Sequence, residues 1–551
     1  MKLAPWILLA ALASSQQQTA PPRDAAGPAP APATAIVRGR ITAAANERPL
    51  HRVRVTLDGG TPNAPSAVTD TRGEFEISEV PAGSYRLTAT RAGYLTIQYG
   101  QRRPREAGRT IEVETGTVIE GLVMALPRGA VLAGRITDEL GEPAPGVTVE
   151  ALEYRYIRGR RLLVPARITR TNDAGDYRLS GLEPGTFQLR ARSREIWESD
   201  DGETTHVYAM TYFPGVPVVE RPQTIDLKVG QEVGGLDFPL VPAQAARITG
   251  LVEDATGQAL ADQQVNLSEL TRTIGGRILS SGQGASPVKT DARGAFEFSR
   301  LPSGEYIVSS GGPDERASVT IVLEEGDVEQ VVLSPRTQAR VSGIVTTDED
   351  QPPPFLASRI RLLAVSADPR KVLPGWGEGS GDTIRADWSF NLVNLDGPYL
   401  FRLMNLPDGW MVKAVRAGGR DSTDTPLSIS RGSVVKGVEI VISRKGGRVG
   451  GAVVTAAGSP APDSTVIAFA EEPAQWIPGS RFIRATRPDN EGRFTLAGLA
   501  PGTYRVIARD LVVDGQWEDP EFLRSLLKES VRVELAESAV QIIQLTMEEG
   551  R

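Results

Sequence analysis

Cysteine is absent from the 551 residues. That excludes disulfides, a thiol nucleophile and cysteine-ligated zinc. Histidine occurs only at His51 and His206, which excludes histidine-rich zinc sites. Lys+Arg number 61 against 68 Asp+Glu, a net charge of −7. Without a basic stripe to meet phosphates, no nucleic-acid partner is expected. Aromatics make up only 6%, and beyond the N-terminus no apolar run approaches the length of a membrane span. What the chain does have is turn residues, with 57 Gly and 40 Pro, and 40% hydrophobic content. That is enough apolar material for packed cores. The length implies about four or five domains.

Residues 1–15 begin with one positive charge at Lys2, followed by a short apolar run that ends in Ala11-Leu12-Ala13. This is the pattern of a secretory signal peptide, and the run is too short to cross a bilayer. The expectation is an exported protein, periplasmic or extracellular, with no transmembrane span once the signal is removed. Residues 16–35 are Pro/Ala-rich and carry almost no large apolar side chains. Such a stretch reads as an extended linker.

From Ile36 onward one unit recurs. Asp70-Thr71-Arg72-Gly73-Glu74-Phe75 leads to Pro81-Ala82-Gly83-Ser84-Tyr85, and Asp173-Ala174-Gly175-Asp176-Tyr177 to Pro184-Gly185-Thr186-Phe187. Asp291-Ala292-Arg293-Gly294-Ala295-Phe296 leads to Pro302-Ser303-Gly304-Glu305-Tyr306, and Asp489-Asn490-Glu491-Gly492-Arg493-Phe494 to Pro501-Gly502-Thr503-Tyr504. A degenerate copy has Trp388 where the others have the turn glycine, then an extra segment at 396–405, and Gly409-Trp410 as its glycine–aromatic pair. Asp at the start of a turn and Gly at its end suit a type I turn. The residues after each turn alternate apolar and polar, which makes a strand with one face to bury. Asp70, Gly73, Asp173, Gly175, Asp291, Gly294, Asp489 and Gly492 are therefore read as structural turn residues.

Each unit opens on a strand carrying a glycine: Gly39, Gly134, Gly250, Gly343 and Gly451, spaced 95, 116, 93 and 108 residues apart. Seven or so short strands per unit, separated by turn signals, argue a β-sandwich. The fold expected is all-β: a tandem array of about five seven-stranded Ig-like sandwiches at 36–128, 129–243, 244–336, 337–445 and 446–551, the fourth degenerate. One short helix is expected from Asp519-Pro520 over about 521–528. With a radius of gyration of roughly 13 Å per unit, five laid end to end predict a rod on the order of 150 Å.

The opening glycine, the Asp…Gly…aromatic turn and the Gly-x-aromatic strand together resemble the carboxypeptidase regulatory-like domain, a transthyretin-like sandwich related to carbohydrate-binding-like folds. The resemblance covers nearly all of 36–551 and is specific in four of the five units. It implies fold and an exported location. It carries over no catalytic residue, because no peptidase domain is attached. Related surface domains cross-link a strand lysine to an asparagine, but the opening strands here carry Arg38, Arg135 and Arg340 instead of lysine, so no such bond is expected.

Catalysis finds little footing. His51 and His206 read as loop residues of different units, which disfavours both a zinc centre and a Ser-His-Asp triad. No catalytic residue, no metal and no cofactor is expected. Asp200-Asp201-Gly202-Glu203 reads as a solvated loop. Candidate ligand contacts are Trp197, Tyr208, Tyr212, Trp376, Trp476 and Trp517, aromatics set beside polar residues that either stack on a sugar or protein partner or cap the sandwich cores. Arg102-Arg103-Pro104-Arg105 and Arg158-Gly159-Arg160-Arg161 are local basic runs that either meet acidic glycans or lipid headgroups or are merely solvated. The functions carried forward are a non-catalytic binding or spacer module at the cell envelope, a carbohydrate-binding protein, and an accessory subunit of a secreted peptidase. The possible partners are a glycan or an envelope protein.

Overall fold

The computed structural model describes residues 35–547 except 59–63, 102–105, 107, 158, 200–201, 203, 218–222, 273–277, 303, 313–314, 324–325, 338, 350–351, 368–383, 408 and 478. The expected signal peptide and most of the linker lie outside the described residues. So do Trp376, Asp200, Asp201, Glu203, Arg158 and the run from Arg102 to Arg105.

The described residues are all-β, with one α-helix, Pro520–Leu526. Its cap is Asp519, whose side chain accepts from Glu521 N at 3.0 Å, as the Asp-Pro pair implies. In the first unit the opening strand Ala35–Ala43 lies between antiparallel Glu74–Val80 and parallel Val118–Leu126. The facing sheet pairs Arg54–Asp58 with Ser66–Val68 and with Gly83–Thr90, which also pairs Ile97–Gln98 and Thr110–Val113. Alternation drives the packing. Phe75 and Ile77 are buried while Glu74 and Glu76 are exposed, so each sheet hides one face against the other. Separate apolar clusters follow along the chain, from Ala35 to Leu126, Ala130 to Leu240, Ala246 to Leu333, Ala339 to Ile442 and Val449 to Leu545.

The opening glycines have a steric reason. A Cβ on Gly39 would lie 2.3 Å from Leu122 O and 2.7 Å from the Phe75 ring. On Gly343 it would lie 1.8 Å from Val438 O and 2.6 Å from the Phe390 ring. The missing side chain lets the aromatic of one neighbouring strand lie over the backbone while the parallel strand closes on the other side. The turn glycines need their left-handed backbone. Gly73, Gly175, Gly294 and Gly492 have φ between 72° and 78°, and Trp388 holds the same region at φ 65°.

Four details differ from the sequence reading. The second turn is capped by Asn172, not Asp173: Asn172 Oδ1 accepts from Ala174 N at 3.0 Å and Asp176 N at 2.8 Å. Asp70, Asp291 and Asp489 do the same in their units, so the cap stands three residues before the glycine and Asp173 sits inside the turn. In the fourth unit the glycine–aromatic strand is Gly397–Met404, with Tyr399 buried, and it pairs with Arg361–Ser366 just as Gly83–Thr90 pairs with Arg54–Asp58. The segment after it is the addition. Met411–Ala417 pairs antiparallel on the outer edge of Val434–Ser443, and Met411 enters the core of the fifth unit. His206 lies on a strand, Thr205–Tyr208, rather than in a loop.

The fourth difference is the largest. The units do not run end to end. Arg487 of the fifth unit donates to Gly100 O and Glu106 Oε2 of the first, each at 3.1 Å. Arg109 of the first donates to Asn490 Oδ1 of the fifth at 2.8 Å. A Cβ on Gly159 of the second unit would lie 2.1 Å from Glu518 O of the fifth. The chain therefore folds back, and its last sandwich rests against its first two. The rod expectation assumed that only sequence neighbours touch, and nothing in a short linker forbids the return.

Candidate functional site

The return of the fifth unit makes two recesses at the seams. The larger, about 550 Å³, lies between the first and fifth units. Its first-unit wall carries Arg86, on Gly83–Thr90, and Arg109, which precedes Thr110–Val113. Its fifth-unit wall carries Arg487, Arg493, Asp489 and Trp517. A smaller recess of about 400 Å³ adds Glu153, Arg155 and Glu183 of the second unit, and Asp514 lines both.

Strand alternation positions these groups. On Gly83–Thr90, Tyr85 and Leu87 point into the core, so Arg86 points out. Trp517 stands in the short 3₁₀ turn Gln516–Glu518 and is half-buried against the fifth core. Most of the charge is engaged. Arg487 and Glu106 form a pair whose side chains are 3% and 7% exposed, and Arg109 Nη2 donates to Pro462 O at 3.2 Å. Asp489 holds its turn and accepts from Arg493 Nε at 3.1 Å. Exposed Arg86 interacts with the Asp514 carboxylate, which also feels Arg155. In the second recess Arg155 bridges nearly buried Glu153 at 2.6 Å and Glu183 at 2.9 Å. The larger recess thus offers guanidinium groups beside an indole, a combination suited to an anionic group carried on a flat or ring-shaped body.

Of the aromatics singled out from sequence, the structure brings Trp197 and Tyr208 together in the second unit and sets Trp476 and Trp517 at the core of the fifth. Trp476 is 5% exposed, packs on Phe469, and donates from Nε1 to Ala470 O at 2.8 Å, so it caps the core. Tyr208 is buried, and its hydroxyl donates to Glu139 at 2.6 Å. Burial pushes that hydroxyl far up, with Glu139 adding to the rise. Trp197 is half-buried, lies against Tyr208 at 4.7 Å and stacks on His206 at 5.6 Å. Tyr212, also half-buried, lies opposite Arg190 across the strand pair. Of the candidates placed by the structure, Trp517 alone lines the larger recess. Arg161 of the second basic run stacks on the Tyr154 ring at 4.1 Å. The recess residues Arg86, Arg109 and Arg487 carry no local sequence signal, because three distant segments assemble the wall.

Residues 36–122 and 131–212 each match the family model of the Carboxypeptidase regulatory-like domain. No curated protein matches the chain. Among solved structures the chain is similar to the Bacillus anthracis TIE protein, at 13% identity over 71% of this chain and 66% of that one, with a TM-score of 0.17. It is also similar to a streptococcal ancillary pilin, at 15% identity over 55% of this chain and 98% of that one, with a TM-score of 0.19. A third is BcpA, the major pilin subunit of Bacillus cereus, at 12% identity over 54% and 99%, with a TM-score of 0.14.

Proposed function

For a chain whose first two units are carboxypeptidase regulatory-like domains, we propose a non-catalytic role as an exported binding and spacing module at the cell envelope. The observation that carries this reading is where the chemistry lies. Each sandwich fills its interior with alternating apolar side chains, and the polar recesses described above occur at seams between units. A seam suits recognition of an extended partner better than reaction in an enclosed pocket. His51 is exposed in the first unit and His206 stacks on Trp197 in the second, so the two imidazoles share no site. No helix among the described residues is long and apolar enough to cross a membrane. Cell fractionation of the full chain tests the address: recovery in the envelope or secreted fraction is expected, and cytoplasmic recovery overturns it.

A second reading, carbohydrate binding, draws on Arg86 and Trp517 in the larger recess, which favour an acidic sugar. Titration of the full chain with polygalacturonate and with neutral dextran discriminates. Binding to the acidic polymer alone, weakened at least about tenfold by Arg86→Glu through reversed charge, is expected. Equal affinity for both polymers, or no effect of the substitution, overturns it.

A further inference from the structure

The closing strands of the units differ in how their outer edges are protected. An edge strand exposes a row of unpaired N–H and C=O groups, and proteins blunt it with charges, bulges or a covering segment. In the first unit Val118–Leu126 carries Glu120 and a bulge at Gly121, φ 77°. In the third, Val328–Leu333 carries Glu329 and a bulge at Gln330, φ 61°. In the fourth, Val434–Ser443 carries Lys436, Glu439 and a bulge at Gly437, and Met411–Ala417 covers it. In the second the closing strand is broken into Glu232–Val233 and Phe238–Pro239.

Among the described residues the fifth unit shows none of these devices. Its closing strand Val540–Thr546 reads Val-Gln-Ile-Ile-Gln-Leu-Thr, without a charge. Its register with Gly447–Val454 runs unbroken from Arg448↔Val540 to Val454↔Thr546, so no bulge bends it. Ala539 O accepts from Arg448 N at 2.8 Å, and Met547 N donates to Val454 O at 2.7 Å. Pairing groups in a parallel ladder alternate. Gln541, Ile543 and Leu545 therefore turn their backbone groups inward, and Val540, Ile542, Gln544 and Thr546 turn theirs to the open edge. Val540 is 60% and Ile542 74% exposed. In the fourth unit Met411–Ala417 pairs antiparallel on the outer edge of the equivalent strand, so an edge of this kind takes an antiparallel neighbour.

We propose that the edge of Val540–Thr546 pairs antiparallel with the same edge of a second copy, making a two-fold dimer through a continuous sheet. The occupant follows from the strand's own chemistry. A neutral edge offers nothing to orient a charged partner, whereas this sequence complements itself about Ile543. Val540 then faces Thr546 of the second copy and Ile542 faces its Gln544. The two Ile542 side chains meet diagonally across the axis on the outer face, which buries the most exposed apolar group of the strand. The four outward-facing residues of each strand make about eight main-chain hydrogen bonds. Such a contact is isologous and closes on itself, so it stops at two copies.

The test is light scattering of the full chain after size exclusion, over a dilution series. Twice the chain mass at high concentration, falling to one on dilution, is expected. Ile542→Pro removes one outward N–H while leaving the inward ladder intact, and proline is tolerated on such an edge. It should raise the dissociation constant at least about tenfold. Gln544→Lys is the second variant and should act the same way by bringing two like charges close to the axis. Amide exchange supplies the register: protection at Ile542 and Gln544 should depend on concentration, and protection at Ile543 and Leu545 should not. A monomer at every concentration overturns the proposal. So does a dimer that survives both variants, or a dimer in which the Ile542 and Gln544 amides exchange freely.

Discussion

Removing the Arg487–Glu106 pair tests the folded-back arrangement. Both side chains are almost wholly buried, 3.1 Å apart, at the seam between the first and last units. Arg487 also holds Gly100 O at 3.1 Å and lies 3.7 Å from Asp463. Arg487→Met removes the guanidinium from this buried pair and takes the Gly100 O contact with it. Breaking one side of a buried pair costs about 3–5 kcal/mol. At roughly 1.36 kcal/mol per tenfold, the balance between closed and open arrangements shifts at least a hundredfold toward open. Small-angle scattering of the full chain reads this directly. The parent protein should scatter as a compact particle, and Arg487→Met should gain maximum dimension toward the roughly 150 Å of five sandwiches in line, each with a radius of gyration of about 13 Å. Glu106→Leu combined with Arg487→Met should recover much of the loss, because an apolar pair of similar volume carries no desolvation cost. The reasoning is refuted if the parent scatters as an extended rod. It is equally refuted if Arg487→Met changes neither the scattering curve nor the melting temperature.

Gly343→Ala should destabilise the fourth unit by about 1–3 kcal/mol through overpacking, since the new Cβ meets Val438 O and the Phe390 ring; Gly93→Ala, with open space around it but φ 80°, should cost only about 1–2 kcal/mol of left-handed strain, and thermal unfolding that ranks the two the other way would count against the packing argument. The Glu74 N–H, followed by that of Arg72, holds the Asp70 carboxyl below the usual carboxylate range, and Ala295 N–H then Arg293 N–H do the same for Asp291. Their contribution is therefore full above about pH 4, the ordinary aspartate value, and fades as pH falls through the lowered folded values. Asp70→Asn and Asp291→Asn should flatten that acid limb in a pH series of melting temperatures, and an unchanged slope would show that the caps do not set it.

Much of the fold is legible in the chain because its determinants are local. Phe75 and Ile77 alternate with Glu74 and Glu76, turn glycines recur at fixed offsets from Asp or Asn, and Asp519-Pro520 announces the one helix. These signals fail where one residue changes the spelling. Leu395-Asp396-Gly397-Pro398-Tyr399 has the glycine–aromatic spacing but lacks the proline before its glycine, so Gly409-Trp410, which follows Pro407, carries the stronger local signal in the fourth unit. Asn172 caps as Asp70 does because both present a side-chain oxygen at the same distance from the backbone, which a search for aspartate alone passes over.

The amino-acid order by itself determined that this protein is a series of β-sandwiches, because period-two burial and turn stereochemistry act over a few residues and repeat in every unit. Only the tertiary structure decided which surfaces matter. The recess between the first and fifth units joins Arg86 to Trp517 across more than four hundred residues, and the bareness of the Val540–Thr546 edge emerges only against the protected edges of its sister strands. Contacts between distant units depend on how whole sandwiches pack, and no local pattern of side chains encodes that.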